Sequence, residues 1–134
     1  NQNQFYDELF ASLDLLAQTL SARPGSQAGQ TLMDETVIAV MSEMGRTPLI
    51  NDGGGKDHWP ITSALVFGAG VRSGALCGGT DDALLGVETN METGQPGPGR
   101  IIYPENLNAG LLELVGVDPS VQYPGVVPLR GFHA

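Results

Sequence analysis

Cysteine is nearly absent. Cys77 is the one cysteine in 134 residues, which excludes an internal disulfide framework and a Cys-rich zinc site. Positive charge is scarce as well: six Lys and Arg stand against 15 Asp and Glu, giving a net charge of −9. Lys56 is the single lysine, and Arg23, Arg46, Arg72, Arg100 and Arg130 are scattered along the chain. A surface that neutralises phosphates needs clustered cations, so nucleic acid is excluded as a partner. An anionic membrane surface would repel the chain for the same reason. No apolar run approaches the roughly 18 residues of a transmembrane helix, so no membrane insertion is expected. The disordered signature is lacking too: 41% of the residues are hydrophobic and 16% are charged, the reverse of what keeps a chain unfolded. There is no initiating Met, and the polar amino terminus at Asn1 has no basic-then-apolar signal peptide. The expectation is a processed product, an excised domain or a part of something longer.

Glycine and proline are plentiful but uneven. From Gly45 onward there are 17 Gly and eight Pro in 90 residues, so short elements between long turns are expected there. Before that point the pattern is regular. Phe5, Leu9, Leu13, Leu16 and Leu20 recur at spacings of three and four, which predicts an amphipathic helix over 3–22. Asn1 or Asn3 suits its cap, and Arg23-Pro24-Gly25 stops it. The β-branched run near 36–41 and the run near 64–67 predict strands buried on both faces, as in a parallel sheet. A helix near 104–114 follows, with Leu107, Leu111, Leu112 and Leu114 inward and Gly116 past its end. The tail from Val117 to Ala134 holds three prolines and is expected to lie extended over the surface.

Open α/β sheets bind ligands at the carboxyl ends of their parallel strands, which directs attention to Ser42–Pro60. This stretch contains Glu43, Arg46, Asp52, Lys56, Asp57, His58 and Trp59. A divalent ion wants oxygen and imidazole ligands brought together by bent backbone, and a carboxylate after a strand with Asp-His after a glycine loop offers both. The plainer alternative is that Asp52 and Asp57 only make Asx turns. Gly53-Gly54-Gly55-Lys56 lacks the spacing of a phosphate loop. Ser42 lacks the Gly-x-Ser-x-Gly setting of a nucleophile elbow. Asp81 and Asp82 read as a turn or cap, Cys77 as a small buried hydrophobe and His133 as solvated.

Four segments together carry a family resemblance: Thr36–Pro48 (TVIAVMSEMGRTP), Gly55–Pro60 (GKDHWP), Val66–Gly74 (VFGAGVRSG) and Gly79-Thr80-Asp81. In this order they resemble the sulfatase-like family of uncharacterised bacterial proteins, a domain of unknown function placed in the alkaline phosphatase superfamily. That resemblance implies an α/β fold: residues 1–134 would be the carboxyl-terminal part of a three-layer sandwich with a mainly parallel sheet. It implies a metal-dependent hydrolase of sulfate or phosphate esters, with Glu43, Asp57 and His58 as ligands of a divalent ion (Zn, Ca, Mg or Mn) and Arg46 as an anion contact. Arg46 would otherwise make a salt bridge to Glu43 or Asp57. Met44 departs from the superfamily's Asp-His-Gly triplet and is a poor ligand for a hard cation. The nucleophile and further ligands would come from upstream elements that this sequence lacks, so the chain alone is expected to be inactive. The resemblance also implies export to the periplasm or the extracellular space.

Two other readings stand beside the hydrolase. One is a non-catalytic structural or binding module that keeps the fold without a working site. The other concerns partners: the two strands need neighbours, supplied by the upstream part of the same protein or by another polypeptide.

Overall fold

In the computed structural model, residues 2–134 are described. Two helices, α1 (Gln2–Ser21) and α2 (Pro104–Leu114), flank four short strands: β1 (Val37–Met41), β2 (Gly45–Arg46), β3 (His58–Trp59) and β4 (Ala64–Gly68). Two 3-10 turns, Leu32–Glu35 and Pro119–Val121, complete the regular structure. The chain divides into two compact units. The first holds the chain up to Ile38 together with Gly68–Gly70, and the second holds Ala39–Phe67 and Val71–Ala134.

In the first unit, α1 occupies the segment with the leucine spacing. Asn1, one of the two expected caps, lies outside the described residues, and Asn3 falls within the first turn. After Arg23 the chain doubles back. Pro24 pairs with Thr31, the Gly25 N–H donates to the Gln30 carbonyl (2.8 Å), and the Leu32 N–H donates to the Arg23 carbonyl (3.0 Å). Carboxylates fasten this turn. Glu35 accepts from the N–H (2.6 Å) and the hydroxyl (2.8 Å) of Ser26, and Asp34 accepts from the N–H and hydroxyl of Thr31, both at 2.8 Å. Both carboxyls are held below their ordinary range, Glu35 foremost by the Ser26 hydroxyl and Asp34 foremost by the Thr31 N–H.

The strands β1 and β4 pair with each other, and β2 with β3. The Ala69 N–H donates to the Thr36 carbonyl at 2.9 Å, so the end of β4 lies beside the start of β1. That direction is antiparallel, as is β2 against β3 with Gly45 opposite Trp59 and Arg46 opposite His58. Gly68 permits the close approach: its φ is +110°, and a Cβ there would lie 2.1 Å from the Thr36 oxygen. The expected mainly parallel sheet of a three-layer sandwich is therefore corrected. Among the described residues there are two two-stranded antiparallel sheets, and no layered α/β architecture. Nor are the strands buried on both faces, since Met41 is 50% exposed and β1 alternates between half-buried and exposed positions. A short apolar run carries no information on strand direction, and a β-branched run reads alike whether one face or two are covered.

The core of the second unit is built from its loops and its tail. Met91, Leu129 and Phe132 are buried together, with Val66, Cys77, Ile102, Leu107, Leu111, Leu114 and Val127 packed around them. The tail thus does not simply lie over the surface. Residues 129–132 are seated between α2 and the 88–100 loop. The Leu129 N–H donates to the Asn106 carbonyl (2.9 Å), and the Arg130 and Gly131 N–H groups donate to the Met91 carbonyl (2.7 and 3.1 Å). Asn106, buried in the first turn of α2, accepts from the Tyr103 N–H (2.8 Å) and donates to the Val127 carbonyl (2.8 Å), so one side chain caps the helix and holds the tail.

Arg130 fastens the same junction electrostatically. Its guanidinium grips Glu113 of α2 in a fork, Nε to Oε2 at 2.6 Å and Nη2 to Oε1 at 2.8 Å, and reaches Glu92 with Nη1 at 2.6 Å. Hydrogen bonding to Arg130 holds the Glu113 carboxyl below its ordinary range. A lowered folded-state value means that the carboxylate contributes stability above its unfolded value of about 4.3, lost as pH falls through the folded value. Thermal unfolding is therefore expected to hold steady from pH 7 to about 5 and to fall below about pH 4. Glu113→Gln should cost about 1 kcal/mol at pH 7, because the pair is partly exposed, and should flatten part of the acid decline. An unchanged decline in the variant would remove this role.

Candidate functional site

The segment joining β1 to β4 carries the residues singled out for chemistry, and its conformation follows from turn chemistry. Ser42 ends β1 by turning inward on its neighbours, its hydroxyl 3.3 Å from Glu43 Oε2 and 3.1 Å from the Met44 carbonyl. The β2–β3 hairpin follows. Its loop is organised by Asn51, whose Oδ1 accepts from the N–H groups of Gly53 (3.1 Å) and Gly55 (2.9 Å) and whose Nδ2 donates to Asp57 Oδ1 (2.7 Å). The Asn51 N–H closes the loop on the Gly55 carbonyl (2.8 Å), and the Thr47 N–H donates to the Asp57 carbonyl (3.0 Å). The signal for this was present, since Asn followed by Asp and three glycines favours an Asx turn. Asn51 makes that turn, in place of Asp52 or Asp57.

Each candidate ligand has a definite place. Glu43 is exposed in the turn after β1 and interacts with Ser42. Asp57 is exposed and engaged by Asn51. His58 is exposed on β3, the register partner of Arg46 on β2. Arg46 donates to the Lys56 carbonyl at 3.2 Å. The hairpin thus brings Arg46 and His58 side by side and ties Asp57 to Asn51. Glu43, Asp57 and His58 do not make a ligand set: among the described residues no group of three or more His, Cys, Asp and Glu is placed to hold a metal ion.

Other residues take supporting roles. The Trp59 indole N–H donates to the Leu84 carbonyl (2.9 Å) and anchors the hairpin to the Asp81–Leu85 turn. Asp81 Oδ1 accepts from the N–H groups of Ala83 and Leu85, both at 2.9 Å, as an Asx turn does. Leu84 sits there at φ 59°, an uncommon conformation for a branched side chain. Cys77 is half-buried against the core, and burial pushes its thiol up. His133 is set into the fold: its ring meets Phe132 edge-on at 4.8 Å, and its Nε2 lies 3.0 Å from the Gly110 carbonyl. Sequence reading missed Asn51, Asn106 and the Glu92–Arg130–Glu113 cluster, whose partners are separated by up to 38 positions.

The described residues form two helices and two short two-stranded antiparallel sheets, with an exposed polar loop between β2 and β3. The profile of a family described as a protein of unknown function, DUF1501, matches residues 25–126, and the chain belongs to that family. This corrects the resemblance drawn from the motifs. DUF1501 is a distinct family, and its match gives no support for a sulfatase-like or alkaline phosphatase superfamily membership. No curated protein and no solved structure matches the chain.

Proposed function

We propose that this chain is a non-catalytic structural or binding module whose apolar surfaces are covered by another polypeptide segment. One observation carries the reading. Among the described residues the buried hydrophobic ones are Met91, Ala109, Leu129 and Phe132, whereas large apolar side chains stand in water throughout, among them Phe5, Leu49 and Val121. Leu49 and Ile50 project from the hairpin loop at 77% and 71% exposure. Scattered exposed hydrophobics are ordinary, but so many beside so small a core mark surfaces that associate. The loop between β2 and β3 fits the same role, because Asn51 and Asp57 are bonded to each other and Asn51 also holds the Gly53 and Gly55 N–H groups in the turn.

Assay of the chain with aryl sulfate and aryl phosphate esters, in the presence of Zn²⁺, Ca²⁺, Mg²⁺ or Mn²⁺, is expected to give no turnover above the metal ions alone. Titration calorimetry with each ion is expected to give no saturable heat. Metal-dependent turnover that disappears in His58→Ala would overturn the module reading.

A further inference from the structure

Asp52-Gly53, at the tip of the loop between β2 and β3, is the one place in the sequence where Asp or Asn precedes glycine. Such a pair has a chemistry of its own, because the backbone nitrogen after an aspartate can attack the aspartyl Cγ and close a succinimide ring. A side chain on the attacking residue crowds that approach, and glycine has none. The setting here is open. Asp52, Gly53 and Gly54 are all exposed, and a Cβ built on Gly54 would meet nothing within 4 Å. Other aspartates are set differently. Asp118 precedes Pro119, whose nitrogen carries no hydrogen. Asp7 and Asp14 precede residues inside α1, and Asp57 precedes β3.

The loop restrains this reaction through Asn51. The Gly53 N–H, on the nitrogen that would attack, donates to Asn51 Oδ1 at 3.1 Å. The Gly54 N–H donates to the Asn51 carbonyl (2.9 Å), which makes Asp52 and Gly53 the central residues of a turn. The Gly55 N–H shares Oδ1 (2.9 Å), and Nδ2 is fastened to Asp57 Oδ1 (2.7 Å). Ring closure swings the Asp52–Gly53 peptide plane toward the Asp52 side chain, so it draws the Gly53 N–H off Asn51. The turn must open before the ring can form.

We propose that Asp52-Gly53 is a site of spontaneous isoaspartate formation and that Asn51 sets its rate. The Gly53 nitrogen bonds to Cγ of the neutral Asp52 carboxyl. The Cγ–OH bond breaks, and the hydroxyl leaves as water with the amide proton. Water then adds back to one of the two imide carbonyls. Breaking the ring at Cγ restores aspartate. Breaking it at the main-chain carbonyl routes the chain through Cβ and Cγ and leaves a free α-carboxylate. Mass is unchanged, and no oxidant, metal or second substrate is consumed. The main chain becomes one carbon longer inside the turn that Asn51 closes, in the loop that also presents Leu49 and Ile50.

In the test, the full-length protein is aged for several weeks at physiological temperature and mildly acid pH. Isoaspartate is located by electron-transfer dissociation mass spectrometry. Its amount is read by methyl transfer from labelled S-adenosylmethionine with an isoaspartyl methyltransferase. The expected result is accumulation at position 52 above the other aspartates of this sequence. The rate should rise roughly 3–10-fold in Asn51→Ala, the opening that one lost hydrogen bond allows. It should fall to the level of the other aspartates in Gly53→Ala. Accumulation at position 52 no higher than elsewhere, or unaffected by Gly53→Ala, overturns the site. A rate unchanged in Asn51→Ala overturns the role of Asn51. So does a rise shared by every aspartate, which marks global unfolding in place of opening of the loop.

Discussion

Phe132→Ala is expected to lower the free energy of unfolding of the second unit by about 3–5 kcal/mol, measured as the shift in urea midpoint at constant slope. The size follows from how few side chains share the load. Phe132 is one of three residues in the buried cluster, with Met91 and Leu129. Its ring also meets the His133 imidazole edge-on, and its carbonyl accepts from the Arg72 N–H at 2.8 Å. Truncation removes the transfer term and leaves a void, which the tail cannot close while residues 129–131 stay bonded to Asn106 and Met91. Against a typical stability of about 5–15 kcal/mol, that loss consumes a large share. A loss under about 1 kcal/mol would mean that the cluster is not the core.

Gly110→Ala is the second large effect, and its sign is the informative part. In the interior of a solvent-facing helix, replacing Gly with Ala adds about 0.5–1 kcal/mol of stability. Gly110 lies near the middle of α2, so propensity alone forecasts a gain. Its Cβ would sit 2.2 Å from the Leu129 carbonyl oxygen and 3.3 Å from the Phe132 ring. The oxygen belongs to backbone that cannot swing aside, so helix and tail must separate. Overpacking of this kind costs about 1–3 kcal/mol, which outweighs the propensity gain. The melting temperature is therefore expected to fall, with the His133–Gly110 contact broken in the same step. A variant as stable as the parent would show that α2 and the tail do not meet as described.

These two sites also mark where sequence reading runs out. The stripe from Phe5 to Leu20 is legible because a helix repeats its environment every three or four residues. Pro104 at the first helical position and Gly116 after the last give α2 its limits in the same way. Leu129 and Phe132 stand among Pro128, Gly131 and Arg130 with no period at all, so nothing local declares them core. The strand runs near 36–41 and 64–67 are readable as extended chain, whereas their antiparallel pairing depends on where the intervening turns lead. Grouping Glu43, Asp57 and His58 by closeness in sequence assumes that a loop gathers its polar residues around one centre. Here Asn51 spends Asp57 inside the loop, and the hairpin register sets His58 beside Arg46.

Cys77 gives the molecule a built-in reporter. Its thiol is held up by burial beside the core and makes no disulfide among the described residues. Thiolate chemistry is correspondingly slow in the closed state. Alkylation of this one sulfur therefore clocks transient opening of the Met91–Leu129–Phe132 cluster, and modification kinetics alone give access to motions that leave secondary structure intact.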